Sequence, residues 1–118
     1  MLFEIGPKTL DSYVDGRGKK PFWEWLDYLK DLRGRFQIKA RLDRLEAGNL
    51  GDYRPVGNKV FELKIDFGPG YRVYFSFVGD QILLLLCGGG KDSQDRDIEK
   101  AKEYLADYWK QHGDQKRN

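Results

Sequence analysis

The sequence predicts an α+β domain in the order β-α-α-β-β-β-α, a helical hairpin packed on a small, mainly antiparallel sheet. Three observations predict it. Apolar residues recur at helical spacing from Phe22 to Leu45, alternate strictly from Val60 to Phe67, and return to helical spacing after the glycines at 88–90. Residues 1–112 read as one domain and 113–118 as a polar tail.

Leu2 to Ile5 reads as a short opening strand that adds to the sheet, followed by a loop through Asp15-Gly16-Arg17-Gly18. Pro21 suits the first turn of a helix, where its missing N–H costs nothing. Phe22, Trp25, Leu26, Leu29 and Leu32 then share one helical face, and Gly34 interrupts the pattern. Ile38, Leu42 and Leu45 resume it in a second helix that Gly48 closes. In the first strand of the meander, Phe61, Leu63, Ile65 and Phe67 lie on one face and Glu62, Lys64 and Asp66 on the other. Gly68-Pro69-Gly70 is a turn into the strand Tyr71–Val78. Gly79-Asp80 is a second turn, into Gln81–Cys87. That last strand is apolar on both faces, as a central strand covered on one side by helices should be. Asp92 or Ser93 can cap a final helix with the stripe Ile98, Ala101, Leu105, Tyr108 and Trp109.

Composition narrows the function classes. The 118 residues are 40% hydrophobic with a net charge of +2, so intrinsic disorder is excluded for the body of the chain. The basic excess is local: residues 17–46 hold nine bases against five acids, enough to attract an anionic partner or simply to solvate a helix face. One cysteine, Cys87, excludes a disulfide framework and suits a reducing cytosol. One histidine, His112, argues against a histidine-based triad or metal site, and no cofactor motif is found. The longest apolar run, Ile82–Cys87, is too short to span a bilayer. The start Met1-Leu2-Phe3-Glu4 lacks the pattern of a signal peptide, so a cytoplasmic protein is expected.

The polar face of the meander is where chemistry can gather. A three-residue turn places Asp66 opposite Arg72, Lys64 opposite Tyr74 and Glu62 opposite Ser76. Basic groups, carboxylates, a phenol and a hydroxyl then lie together, although ordinary cross-strand pairing explains the same face without a ligand. Lys91 follows three glycines at the start of a helix, where backbone can approach an anion. The P-loop spacing fails, since Leu85 and Asp92 stand where it needs Gly and Ser or Thr. The acids Asp92, Asp95 and Asp97 do not have EF-hand spacing, and Ser76 and Ser93 have no histidine partner.

The strings Glu62-Leu63-Lys64-Ile65, Gly68-Pro69-Gly70-Tyr71-Arg72-Val73-Tyr74-Phe75 and Gly90-Lys91-Asp92-Ser93-Gln94, then Asp97-Ile98, resemble the RelE/ParE toxin superfamily. They resemble most its HigB-like, phage-derived addiction module killer branch. Arg41-Leu42-Asp43-Arg44-Leu45 with Gly48-Asn49-Leu50-Gly51-Asp52 and Pro55-Val56-Gly57 extends the likeness, to roughly residues 20–105. The resemblance implies a type II toxin–antitoxin toxin, either a ribosome-dependent mRNA endoribonuclease or a ParE-like inhibitor of gyrase. A decayed toxin that only sequesters antitoxin or RNA is the third reading. Arg72 falls on the family's strand arginine, which contacts the scissile phosphate. Lys64 and Lys91 fall on its flanking basic positions. Glu62, Asp92 and Ile98 depart from the lysine, arginine and tyrosine of well-studied members.

Metal-independent RNA cleavage by the neighbouring 2′-OH assigns each group a role. Arg72 holds phosphate oxygens, Glu62 is the candidate base, Lys64 or Lys91 protonates the leaving group, and Tyr74 orients the substrate or stacks on a base. The expected partners are mRNA on the ribosome and a helix-turn-helix antitoxin from a neighbouring reading frame. Trp23 and Trp25 point about 200° apart on a helix. Trp25 therefore reads as core and Trp23 as at least partly exposed, an anchor for that partner or a contact for the 6–16 loop. Either the polar strand face or the helical hairpin is the surface the antitoxin is expected to bury.

Overall fold

The computed structural model describes residues 6–113, and the expected strand Leu2–Ile5 lies outside them. The elements are β1 (Thr9–Ser12), α1 (Pro21–Tyr28), α2 (Leu32–Glu46), β2 (Tyr53–Gly57), β3 (Val60–Ile65), β4 (Tyr71–Gly79), β5 (Ile82–Gly90) and α3 (Gln94–Gln111). They build an α+β domain around one mixed five-stranded sheet of order β1-β5-β4-β3-β2. β1 runs parallel to β5, and all other pairs are antiparallel.

Two strands differ from expectation. β1 falls in the segment expected to be a loop, and its polar sequence alternates exposed and partly buried residues as an edge strand does. β2 is an added edge strand, and Pro55 is exposed on it. Proline removes a ladder donor, which only an edge tolerates, so its pattern reads as loop. The two-residue turn from β2 to β3 holds Asn58 and Lys59 at φ 54° and 66°, the left-handed pair of a type I′ hairpin.

The helical break also moves. It lies at residues 29–31, because Asp31 caps α2 by accepting from the Gly34 backbone N–H at 2.9 Å. Gly34 sits inside the first turn, where a Cβ would collide with Asp31 and the Tyr71 ring. Asp31 also accepts the Tyr71 hydroxyl at 2.6 Å, tying the helix start to β4.

Helices cover both faces of the sheet, not one. α1 and α2 lie against one face, with Phe22, Leu26, Ile38, Leu42 and Leu45 meeting Leu63, Val73, Phe75, Leu83 and Leu85. α3 covers the other, where Ala101 and Leu105 meet Val60, Tyr74, Leu84 and Leu86. This explains why β5 is apolar on both sides. It also means that the polar face of β3 and β4 lies partly beneath α3. Trp23 and Trp25 are both partly buried against the first cluster. Among the described residues, no helix is long and apolar enough to cross a membrane.

Candidate anion-binding basin

The β3–β4 register differs by two residues from the one a three-residue turn would impose. Lys64 pairs with Arg72, and Glu62 with Tyr74. The cause is a wider turn over residues 66–70, closed by the Gly70 N–H donating to the Phe67 carbonyl at 3.0 Å. Gly68 and Gly70 take φ of 57° and 89°, which side-chain-bearing residues rarely adopt. A shift of two keeps each side chain on its expected face but changes its neighbour. Ser76 therefore does not meet Glu62; its hydroxyl donates to the Lys59 carbonyl at 2.7 Å.

The five expected site residues divide into a buried group and an open one. Glu62 is 4% exposed, and Tyr74 is fully buried. The Glu62 carboxylate accepts from Arg54 Nε at 2.8 Å, Tyr74 Oη at 3.0 Å and Gln94 Nε2 at 2.7 Å. Burial pushes this carboxyl up, but the hydrogen bonds from Arg54, Gln94 and Tyr74 outweigh it and hold it below the ordinary glutamate value. Burial and the adjoining Glu62 charge push the Tyr74 phenol far up. A carboxylate so occupied is a poor proton acceptor, so Glu62 organises the site and does not meet the requirement for a general base. Tyr74 is fully buried beneath α3 and exposes no ring face.

Arg72 joins the two groups. It is 7% exposed, and its Nε lies 3.6 Å from Glu62 Oε2, an ion pair too long to be a hydrogen bond. Its Nε and Nη1 are buried and have no hydrogen-bond partner among the described residues. Two unpaired guanidinium nitrogens in a folded protein are costly and call for an explanation.

The guanidinium lines a basin of about 410 Å³ with Lys64, Asp66, Phe67 and Lys91, floored by the turn at 68–70. The pairing of Tyr71 with Gly90 brings the end of β5, and so Lys91, to the same rim. Three cations and one carboxylate thus face a single concavity. Lys64 and Asp66 form a loose pair at 3.6 Å, with both side chains largely exposed. The arrangement suits a small multivalent oxyanion held by Arg72 and the two lysines.

The glycine run serves packing more than ligand approach. A Cβ on Gly88 would strike the Trp25 ring, and one on Gly89 would strike Asp97. Ser93 takes the N-cap position of α3, yet its hydroxyl donates to Asp97 at 2.5 Å and leaves the backbone uncapped. Cys87 is buried, and burial pushes its thiol up to about 12, so it is not a nucleophile.

Two contributors carry no signal in the sequence reading: Arg54, on the unexpected edge strand β2, and Gln94, whose amide at the start of α3 donates to Glu62. Alternation places Asp66 on the polar face of the strand, but β3 ends at Ile65 and the wide turn delivers Asp66 to the basin.

No family model matches the chain. A Haemophilus influenzae protein described as an uncharacterized protein is 49% identical over 81 residues, which is 69% of this chain and 82% of that protein.

Proposed function

The chain belongs to the same family as this Haemophilus influenzae protein, and we propose that it is a RelE/ParE-like toxin of the HigB-like branch. In this reading it cleaves translated mRNA at the ribosome and is neutralised by a cognate antitoxin. The observation that carries the proposal is the largely buried Arg72, which lines a basin with Lys64 and Lys91 and whose Nε and Nη1 have no hydrogen-bond partner among the described residues. A helical pair, an antiparallel meander and a terminal helix also follow the order that the sequence resemblance implies. β2 is an addition to that order.

The basin residues suffice for a transesterification. The ribose 2′-oxygen attacks phosphorus and the bond from phosphorus to the 5′-oxygen breaks, leaving a 2′,3′-cyclic phosphate and a 5′-hydroxyl. Asp66, the carboxylate lining the basin, takes the 2′-OH proton in place of Glu62. Arg72 stabilises the charge that builds on the phosphoryl oxygens with the guanidinium charge it brings to the basin lining. Lys91 gives a proton to the departing 5′-oxygen, and Lys64 holds the flanking backbone. Glu62 fixes Arg72 from behind.

Inducing the protein and mapping new mRNA 5′ ends tests this reading. Cleavage within codons and arrested growth are expected, both lost in Arg72→Ala. Full toxicity of that variant would overturn the assignment. A second reading, an inhibitory binding module without chemistry, is favoured by one observation: Glu62 and Tyr74 are locked away from the basin. Asp66→Asn separates the two. Retained toxicity without cleaved mRNA identifies a binder.

A further inference from the structure

Beside the basin lies a second cleft of about 450 Å³, walled by Leu32, Arg33, Phe36 and Gln37 of α2 and by Phe67 of the β3–β4 turn. Its size falls within the roughly 300–1,000 Å³ typical of small-molecule sites. Leu32 is 67% exposed and Phe36 70%, although both are large apolar residues near the start of a helix whose other face is core. Leu32 and Phe36 together leave an exposed apolar surface on one side of the cleft, the kind of surface that binding sites use. Phe67 lines this cleft and the cationic basin alike, so an apolar cleft and an anion site adjoin at that residue.

Resting on the nucleolytic reading above, we propose that this cleft is a nucleobase subsite. It receives the base next to the phosphate that Arg72 holds. A nucleotide is a small ligand that joins a flat apolar face to an anion, the two features placed side by side here. Phe36 and Phe67 offer ring faces for stacking, and the Arg33 guanidinium can cover an exposed base edge or face. Base stacking on aromatic rings tolerates any base, so the subsite positions the strand without selecting a codon. Its role is to set which phosphate enters the basin.

Fluorescence anisotropy at low salt tests the subsite with two labelled strands, a short oligoadenylate blocked by 2′-deoxy sugars and an abasic strand of the same length. Phe36→Ala should weaken oligoadenylate binding by about five-fold or more, the least expected from losing one stacked base. The abasic strand should respond far less, and Phe36→Trp should restore affinity. Arg72→Ala should weaken both strands. Equal affinity of Phe36→Ala and the parent for oligoadenylate, with Arg72→Ala still weak, overturns the base subsite alone. Unchanged affinity in Arg72→Ala overturns the nucleolytic reading itself. If instead the parent self-associates in sedimentation and Phe36→Ala does not, with RNA affinity intact, the cleft is a protein contact and the proposal fails. Because Phe36 points largely into solvent, the urea midpoint of its variants should match the parent and certify their fold.

Discussion

Replacing Arg72 with methionine should cost function but not stability. The side chain is 7% exposed, so Arg72→Met exchanges one buried unbranched chain for another and keeps most of the stem packing. The charge contributes one gain and two losses. At the 3.6 Å separation from Glu62 the gross attraction is roughly 4–5 kcal/mol at an effective dielectric near 20. Against it stand a desolvation penalty of several kcal/mol for a buried ion and about 1–3 kcal/mol for each unpaired donor. These terms cancel or favour methionine. Removing one member of a buried pair usually strands the other, but Glu62 keeps Arg54, Tyr74 and Gln94. Arg72→Met should therefore unfold between the parent's free energy and about 2 kcal/mol above it. With a urea slope of about 1–3 kcal/mol/M, the midpoint should hold or rise by up to roughly 2 M at constant slope. Growth inhibition should vanish. A stability loss beyond about 2 kcal/mol would refute the reasoning, because Arg72 would then be a structural cation and not a donor held unpaired for an anion.

Removing the hub should do the opposite. Glu62→Ala leaves the buried Tyr74 hydroxyl and the Arg72 charge without an acceptor, and equilibrium unfolding should show a loss of at least about 4 kcal/mol. Acid should act on the same group: the Glu62 carboxyl is held below its ordinary value when folded. Its contribution is therefore complete above the unfolded value of about 4.3 and is lost as pH falls through the lower folded value. A urea series across that window should show a steeper decline for the parent than for Glu62→Gln, and parallel curves would contradict it. Lys59→Gly should stabilise by about 0.5–1 kcal/mol, because φ of 66° strains a lysine by more than a glycine loses in chain entropy. Thermal unfolding reads it directly, and a lower midpoint would contradict the turn assignment.

The helices and the meander were legible because each carries a long, regular apolar period. Phe22 with Leu26, Ile38 with Leu42 and Leu45, and the alternation from Phe61 to Phe67 all report burial directly. What was not legible lacks such a period. β1 and β2 are four- and five-residue edges whose polar and proline content reads as loop. The apolar pattern places the helix break at Gly34. Asp31 fixes the break instead, and the glycine answers a steric demand from Tyr71. Gly88 is similar: what reads as room for a ligand is room for Trp25. A glycine signals close approach, but its sequence position does not say by what.

The site carries the same lesson one level up. Alternation put Glu62, Lys64, Arg72 and Tyr74 on one face, which is correct, and a polar face reads as a wet one. α3 divides that face. Where it covers the sheet, a carboxylate, a phenol and an amide satisfy one another and leave nothing accessible for chemistry. Past its N-terminus, the wide glycine turn and the end of β5 bring Asp66 and Lys91 into the open part. Arg72 spans the boundary, paired at distance with the buried carboxylate while lining the open basin, and its Nε and Nη1 have no hydrogen-bond partner among the described residues. A guanidinium already held by burial and by the Glu62 charge loses little freedom when an anion arrives, so ordering it costs little on binding.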